Sequence, residues 1–355
     1  MSCKRAKVLE VTRPHPIGLV APSDFKLGER CDFPPEQLVE DQRFSLYCFD
    51  IEHKAALFVE CPDPEVVDNA AFYYQAQAEH AAAVVSVPLS LFHDLADGIP
   101  EREVVWIHSV GRCGSTLMSK VLGTLQGVKS ISEPDDLTQL LHFDRAIVPP
   151  LLASSVRWRG SGPQGTVAIK TRSEVLVLAD LIADVFPDAK HLFLYRNGIA
   201  WMNTILRNWP PDMDLYDPLR TRQMAERWAE TVPLIREYPG PLNAIQVRML
   251  AWISCMEGYL QLVDRGLDTL PIRFEDLTAD PKLVIHQAFE FLAVGEPEPQ
   301  LIQQVLAKDS QAGTIYDREE RHKNRRHLTQ EEEQYVKDIV SSRPRLMSPE
   351  MIMHV

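Results

Sequence analysis

Apolar residues in the middle of the chain fall into short runs, each followed by a polar or glycine-rich break. Val104–Ile107 (VVWI) is a run of β-formers and predicts a buried central strand. Val128–Ser132, Thr166–Thr171 and Lys190–Asn197 predict three more strands. A helical pattern follows the first strand, with Leu117, Met118, Val121, Leu122 and Leu125 on one apolar face. Glu174–Val185 predicts another helix after the third strand. Ile199–Arg207, Leu219–Glu237 and Ala244–Arg265 predict a helical stretch after the fourth. The Pro- and Asp-rich segment ILRNWPPDMDLYDP interrupts that stretch and predicts a loop at the mouth of a site. Upstream, Phe44–Pro62 alternates and carries a polar turn at Glu52–Lys54, which predicts a β-hairpin. PDPEVVDNAAFYYQAQAEHAAA predicts a helix entered through acidic and Pro residues. AVVSVPLSLFHDLAD predicts a strand and then a helix. The fold class is therefore α/β, a central and mainly parallel sheet flanked by helices over residues 101–355. Residues 1–100 form an α/β extension that either adds strands to that sheet or makes a small cap.

Between the first strand and its helix lies GRCGST, Gly111–Thr116. Gly111 and Gly114 permit positive φ and close backbone approach. The first amides of the helix have no partner within it, so with the Ser115 and Thr116 hydroxyls they suit a phosphate-like anion. This gives the three-layer arrangement a P-loop-like character. It is not a Walker loop, which needs G-x-x-x-x-G-K-[ST]. Here Ser115 follows Gly114 directly, and the cation, Arg112, precedes that glycine. An Arg at the loop mouth can grip an oxyanion with two parallel N–H groups.

Each predicted strand has a charged residue at or just beyond its carboxyl end: Arg112, Glu133, Lys170 and Arg196. In open parallel sheets ligands sit outside those ends. Each charge alone is also what an ordinary solvated strand end carries. Four together point to a site.

These residues carry a resemblance to sulfotransferases that use 3′-phosphoadenosine 5′-phosphosulfate (PAPS), over about Val104–Val294. GRCGSTL resembles the loop that binds the phosphosulfate in that family, with Gly111, Arg112, Cys113, Gly114, Ser115 and Thr116 in the cofactor-binding positions. YRNGIAWMNTILR resembles its second signature, an Arg at a strand end and a Ser or Thr two helical turns later. The resemblance implies that Arg196 and Thr204 hold the 3′-phosphate. LPIRFEDLTADPKLVIHQAFEFL resembles a third signature, a strand, an acidic turn, Asp-Pro and a helix. Glu133 and Lys170 match the version found in tyrosylprotein and carbohydrate sulfotransferases. There the Glu is the base and the Lys contacts the transferring group, so the implied catalytic residues are Glu133, Arg112 and Lys170. The R-K-G-x-x-G segment of the cytosolic steroid and phenol branch is absent. In its place stands the basic YDREERHKNRRHLT. The implied cofactor is PAPS, with adenosine 3′,5′-bisphosphate as product and no metal.

A formal net charge of −13 argues against nucleic acid as a partner and requires a local positive pocket for a polyanionic cofactor. The run holding Arg318, Arg321, Lys323, Arg325 and Arg326 is a candidate lid over it, or else a solvated charged loop. The six cysteines show no metal or CxxC spacing and predict free thiols, Cys113 in the loop being a candidate for modification. Apolar runs such as VLVLADLIADVF are broken by Asp and too short to span a bilayer. No secretory signal is legible, and the expected location is cytoplasmic. Of the four tryptophans in the helical stretch, Trp201, Trp209, Trp228 and Trp252, most are expected in the core. The expected acceptor is a small-molecule hydroxyl, with a peptide or sugar as the alternative. Two other function classes remain open. One is a small-molecule kinase, which would need ATP, magnesium and the missing loop Lys. The other is a nucleotide-binding interaction domain without catalysis.

Overall fold

A computed structural model of the chain describes residues 2–162, 165–209, 213–238, 240–295, 297–312, 314 and 326–347. The chain builds two five-stranded sheets. The first is antiparallel and uses β1 (Cys3–Val11), β2 (Phe25–Phe33), β3 (Phe44–Asp50), β4 (Ala55–Glu60) and β5 (Ala83–Pro88), in the order β2-β1-β5-β4-β3. The second is parallel throughout. It uses β6 (Glu103–Ser109), β7 (Val128–Ser132), β8 (Thr166–Lys170), β9 (Lys190–Tyr195) and β10 (Thr269–Arg273), in the order β10-β9-β6-β8-β7. The extension thus makes a sheet of its own rather than widening the parallel one.

The inner parallel strands β6, β8 and β9 are short, largely buried runs because helices cover both of their faces, while the edge strands β7 and β10 are partly exposed. On one face Met118, Val121 and Leu122 of the helix Ser115–Leu122 pack with Leu192, Trp252 and Met256. On the other, Leu151, Leu152 and Val156 of the helix Val148–Arg159 pack with Trp106, Val167 and Ile169. That second cluster also takes in Phe49, Phe58 and Phe92 from the first hundred residues. The Phe58 ring lies 4.7 Å from Trp158 and the Phe92 ring 6.0 Å from it. The two sheets therefore share one apolar core, and each of these buried rings contributes about 1.5–3 kcal/mol.

The chain order sets the site. From β6 it crosses to the far edge strand β7, returns to β8 beside β6, then jumps to β9 on the other side of β6. The direction of winding reverses at β6, and the crevice at such a point is where open α/β sheets bind ligands.

Three predicted helices are broken by the fold. Glu174–Val185 divides into a 3₁₀ stretch, Ser173–Leu178, and an α-helix, Ala179–Val185. The long helix Ala244–Asp264 presses on that stretch. A Cβ on Gly258 would lie 2.7 Å from the Leu176 carbonyl oxygen, and Cys255 Sγ bonds the Ser173 carbonyl. Leu219–Glu237 divides into Pro218–Trp228 and Leu234–Glu237, because Pro233 has no N–H for a continuous helix. The helix expected after Pro62 divides into Pro64–Asp68 and Tyr73–His80. The Asn69 side chain bonds the Glu65 carbonyl and closes the first piece. No described helix is long and apolar enough to cross a membrane.

Two histidines lie inside the parallel sheet. His108 Nε2 and His191 Nδ1 are 3.2 Å apart, with the rings stacked at 5.4 Å beside Trp106. Burial lowers both pKa values, His191 to about 4 and His108 well below its ordinary value. Their folded values lie below the unfolded value of about 6.5, so the stability they carry is present above that pH. It is lost as pH falls toward 4, by on the order of 3 kcal/mol for His191. Denaturation midpoints between pH 7 and 4.5 should therefore fall, and fall less in His191→Phe. An identical pH dependence in that variant would contradict the assignment.

Candidate active site

The loop after β6 is held by hydrogen bonds to two elements, β9 and the helix that follows it. The Val110 amide continues the β9 ladder by donating to the Leu194 carbonyl. Trp201 Nε1 donates to the Val110 and Gly111 carbonyls, each at 3.0 Å. Cys113 Sγ donates to the Leu194 carbonyl at 3.1 Å. Gly111, Arg112 and Gly114 have φ of 78°, 57° and 88°. Left-handed residues in sequence turn peptide N–H groups toward one concave face, the arrangement that receives anions. Gly114 has a second reason to be glycine, since a Cβ there would lie 2.7 Å from Leu277 Cδ2. The amides of Ser115, Thr116 and Leu117 open the helix and have no carbonyl within it to bond. The Ser115 and Thr116 side chains are almost fully buried beneath the loop.

Cys113 corrects an expectation. Its thiol faces the core, and burial pushes its pKa up to about 11. It is not open to modification, and only its backbone can face a ligand.

Glu133 and Lys170 meet across the ends of β7 and β8, where Ser132 pairs with Lys170. Lys170 Nζ donates to Glu133 Oε1, and the Glu133 amide donates to the Lys170 carbonyl. Glu133 adopts φ 59°. That conformation costs about 1–3 kcal/mol for a residue with a side chain and persists only where the surroundings impose it. Lys170 Nζ also lies 6.0 Å from the centre of the Phe72 ring.

Arg196 leaves β9 and stacks on Phe274, its guanidinium carbon 4.4 Å from the ring centre. Among the described residues its buried Nε has no hydrogen-bond partner, the Glu275 carboxylate standing 3.9 Å away. Burial pushes the Arg196 pKa down, and Glu275 opposes this. Trp252 Nε1 fixes the Arg196 carbonyl at 3.2 Å. The FEDL segment after β10 thus serves two of the other motifs. Phe274 and Glu275 flank Arg196, while Leu277 closes over Gly114. Asn197 caps the helix Gly198–Leu206 by accepting from the Ile199 and Ala200 amides. Thr204 lies on that helix, and its hydroxyl donates to the Ala200 carbonyl at 3.0 Å, leaving its oxygen as an acceptor only. Thr204 therefore gives a 3′-phosphate no proton unless this bond is exchanged.

Several neighbours have no counterpart among the residues expected from the sequence. Arg112 Nη1 donates to Gln311 Oε1 at 2.6 Å, from a segment 199 positions away. Arg172, two residues beyond Lys170, pairs with the buried Asp135, two beyond Glu133. The only signals for them were second charges just past the strand ends, in EPDD and KTR. Among the tryptophans, Trp201 and Trp252 pack in the core as expected and also anchor loop carbonyls. Within the candidate lid, Arg318, Arg321, Lys323 and Arg325 lie outside the described residues. Arg326 donates to the Met213 carbonyl and to Glu332. Pro210–Asp212 of the mouth loop also lie outside them.

No protein-family profile matches the chain, and no curated protein sequence does. Solved structures similar to it include the sulfotransferase domain from the curacin biosynthetic pathway, at 16% identity over 68% of this chain and 98% of that one, with a TM-score of 0.40. A sulfotransferase from Mycobacterium avium aligns at 13% identity over 70% and 78% of the two chains, with a TM-score of 0.45. One from Alicyclobacillus acidocaldarius aligns at 19% over 59% and 91%, with a TM-score of 0.37. At these identities and scores the likeness bears on neither the reaction nor the substrate.

Proposed function

We propose that the chain transfers a sulfuryl group from PAPS to the hydroxyl of a small alcohol or phenol. The observation that carries this reading is the Glu133–Lys170 contact, set at the carboxyl edge of the parallel sheet with the left-handed Gly111–Gly114 loop and the partly buried Arg196 guanidinium. The residues suit a doubly anionic nucleotide. Among the described residues the buried Nε of Arg196 has no acceptor, and the Thr116 and Leu117 amides have none within their helix.

In this reading the loop amides, Ser115, Thr116 and Arg112 hold the 5′-phosphate, and Arg196 holds the 3′-phosphate, with the Thr204 hydroxyl donating to it once it gives up the Ala200 carbonyl. Bound PAPS supplies a sulfuryl group already activated by its link to the 5′-phosphate. Glu133 takes the acceptor proton as the acceptor oxygen bonds to sulfur and the bond from sulfur to the phosphate oxygen breaks. Lys170 bonds Glu133 Oε1, which leaves Oε2 as the oxygen that receives the proton. Lys170 orients that carboxylate and adds positive charge where the transferring oxygens gather. Arg112 offsets the charge left on the phosphate. The Lys170 and Glu133 side chains are 4% and 14% exposed, and so buried a pair favours a small acceptor.

The test is release of adenosine 3′,5′-bisphosphate from PAPS across a panel of simple phenols and alcohols. Release stimulated by a hydroxyl compound, with one sulfate ester formed per bisphosphate, is the expected result. No transfer to any panel member, alongside phosphoryl transfer from ATP, would contradict the reading.

A further inference from the structure

The first hundred residues close over the Glu133 side of the site. Asp135 is buried, and its carboxylate meets Arg172 twice, Oδ1 to Nε at 2.8 Å and Oδ2 to Nη2 at 3.1 Å. The same Oδ2 accepts the Val20 amide at 2.9 Å. Arg172 Nη1 donates to the Ile17 carbonyl at 3.2 Å. The Arg172 guanidinium lies 4.2 Å from the centre of the Tyr74 ring, and Arg13 lies 5.4 Å from it. Arg13 in turn is fixed by Asp24 Oδ2, Tyr47 and the Gly18 carbonyl, at 2.8, 2.9 and 2.6 Å. Ser132, just before Glu133, donates its hydroxyl to the Ala71 carbonyl at 2.8 Å. The turn Ser132–Asp135 is therefore pinned at both ends by the antiparallel-sheet region. Between the pins sits Glu133 at φ 59°.

We infer that the Asp135–Arg172 pair, roofed by Tyr74, is a positioning device through which residues 1–100 set the Glu133 carboxylate against Lys170. The inference rests on the sulfuryl-transfer reading and assigns the extension a role in it. Tyr74, Arg172 and Asp135 act through Glu133 and touch neither substrate. A strained backbone held by distant contacts is a place where loss of one contact relaxes geometry. Misplacing a reacting group by about 1 Å costs about 10²-fold in rate. Cofactor binding depends on Arg112, the loop amides and Arg196, on the other side of β8, and is left intact.

The experiment compares wild type, Asp135→Asn and Tyr74→Leu with PAPS and the best of 2-naphthol, benzyl alcohol and water as acceptor. Calorimetry with adenosine 3′,5′-bisphosphate runs beside it. In Asp135→Asn kcat should fall about 10²-fold, with bisphosphate affinity and KM for PAPS within about twofold. Tyr74→Leu keeps both charges and should likewise lower kcat with bisphosphate affinity and KM for PAPS within about twofold. Should Asp135→Asn not fold, Tyr74→Leu decides. A folded variant with wild-type kcat overturns the inference alone. A wild-type chain that neither binds the bisphosphate nor transfers sulfuryl overturns the underlying reading and the inference together.

Discussion

Replacing Glu133 by Gln should lower turnover by roughly 10²–10⁴-fold while leaving affinity for adenosine 3′,5′-bisphosphate nearly unchanged. The expectation follows from what the amide keeps and loses. A Gln side chain still offers an oxygen to Lys170, so the buried ammonium retains a partner and the fold survives. What disappears is an oxygen able to accept a proton. General-base assistance is lost, while the loop and Arg196, which hold the nucleotide in this account, are untouched. Steady-state kinetics with PAPS and a working acceptor give kcat, and calorimetry gives the binding control. Full turnover in Glu133→Gln would show that another group, or solvent, takes the proton.

Arg196→Ala should have the largest effect on binding. The Arg196 guanidinium is partly buried, stacked on Phe274 and close to Glu275, and among the described residues its Nε has no hydrogen-bond partner. Truncating one side of a buried charged contact costs roughly 2–5 kcal/mol, which is about 30-fold to several thousandfold in affinity. Because the 3′-phosphate is the feature that Arg196 is proposed to read, the loss should be large for adenosine 3′,5′-bisphosphate and small for adenosine 5′-phosphate. Equal losses for the two nucleotides would place Arg196 in a general structural role.

The candidate site was more legible in the sequence than the scaffold around it. Arg112, Glu133, Lys170 and Arg196 each stand close to the end of a short predicted strand, and a local pattern is enough to find them. The run also fixes the strand direction, so their convergence at one sheet edge follows from parallel pairing. The contacts among them were not legible. Arg112 with Gln311, Arg172 with Asp135, and Leu277 over Gly114 join segments that only the folded topology brings together. β1 and β2 left little trace because their pairing buries few side chains. In β1 only Cys3 and Ala6 are buried, so CKRAKVLEV lacks an apolar alternation. Tertiary packing overrode local periodicity in Ser173–Leu178, where the helix carrying Gly258 and Cys255 presses on the chain. In the stretch after Leu219, Pro233 was a visible breaker set inside an otherwise helical pattern.

The most direct test of the account is a calorimetric titration of the wild-type chain with adenosine 3′,5′-bisphosphate, run beside ATP with magnesium. The account predicts saturable binding of the bisphosphate alone, abolished or strongly weakened in Arg196→Ala. Binding of ATP with magnesium in its place would contradict it and favour a phosphoryl-transfer site on the same edge of the sheet.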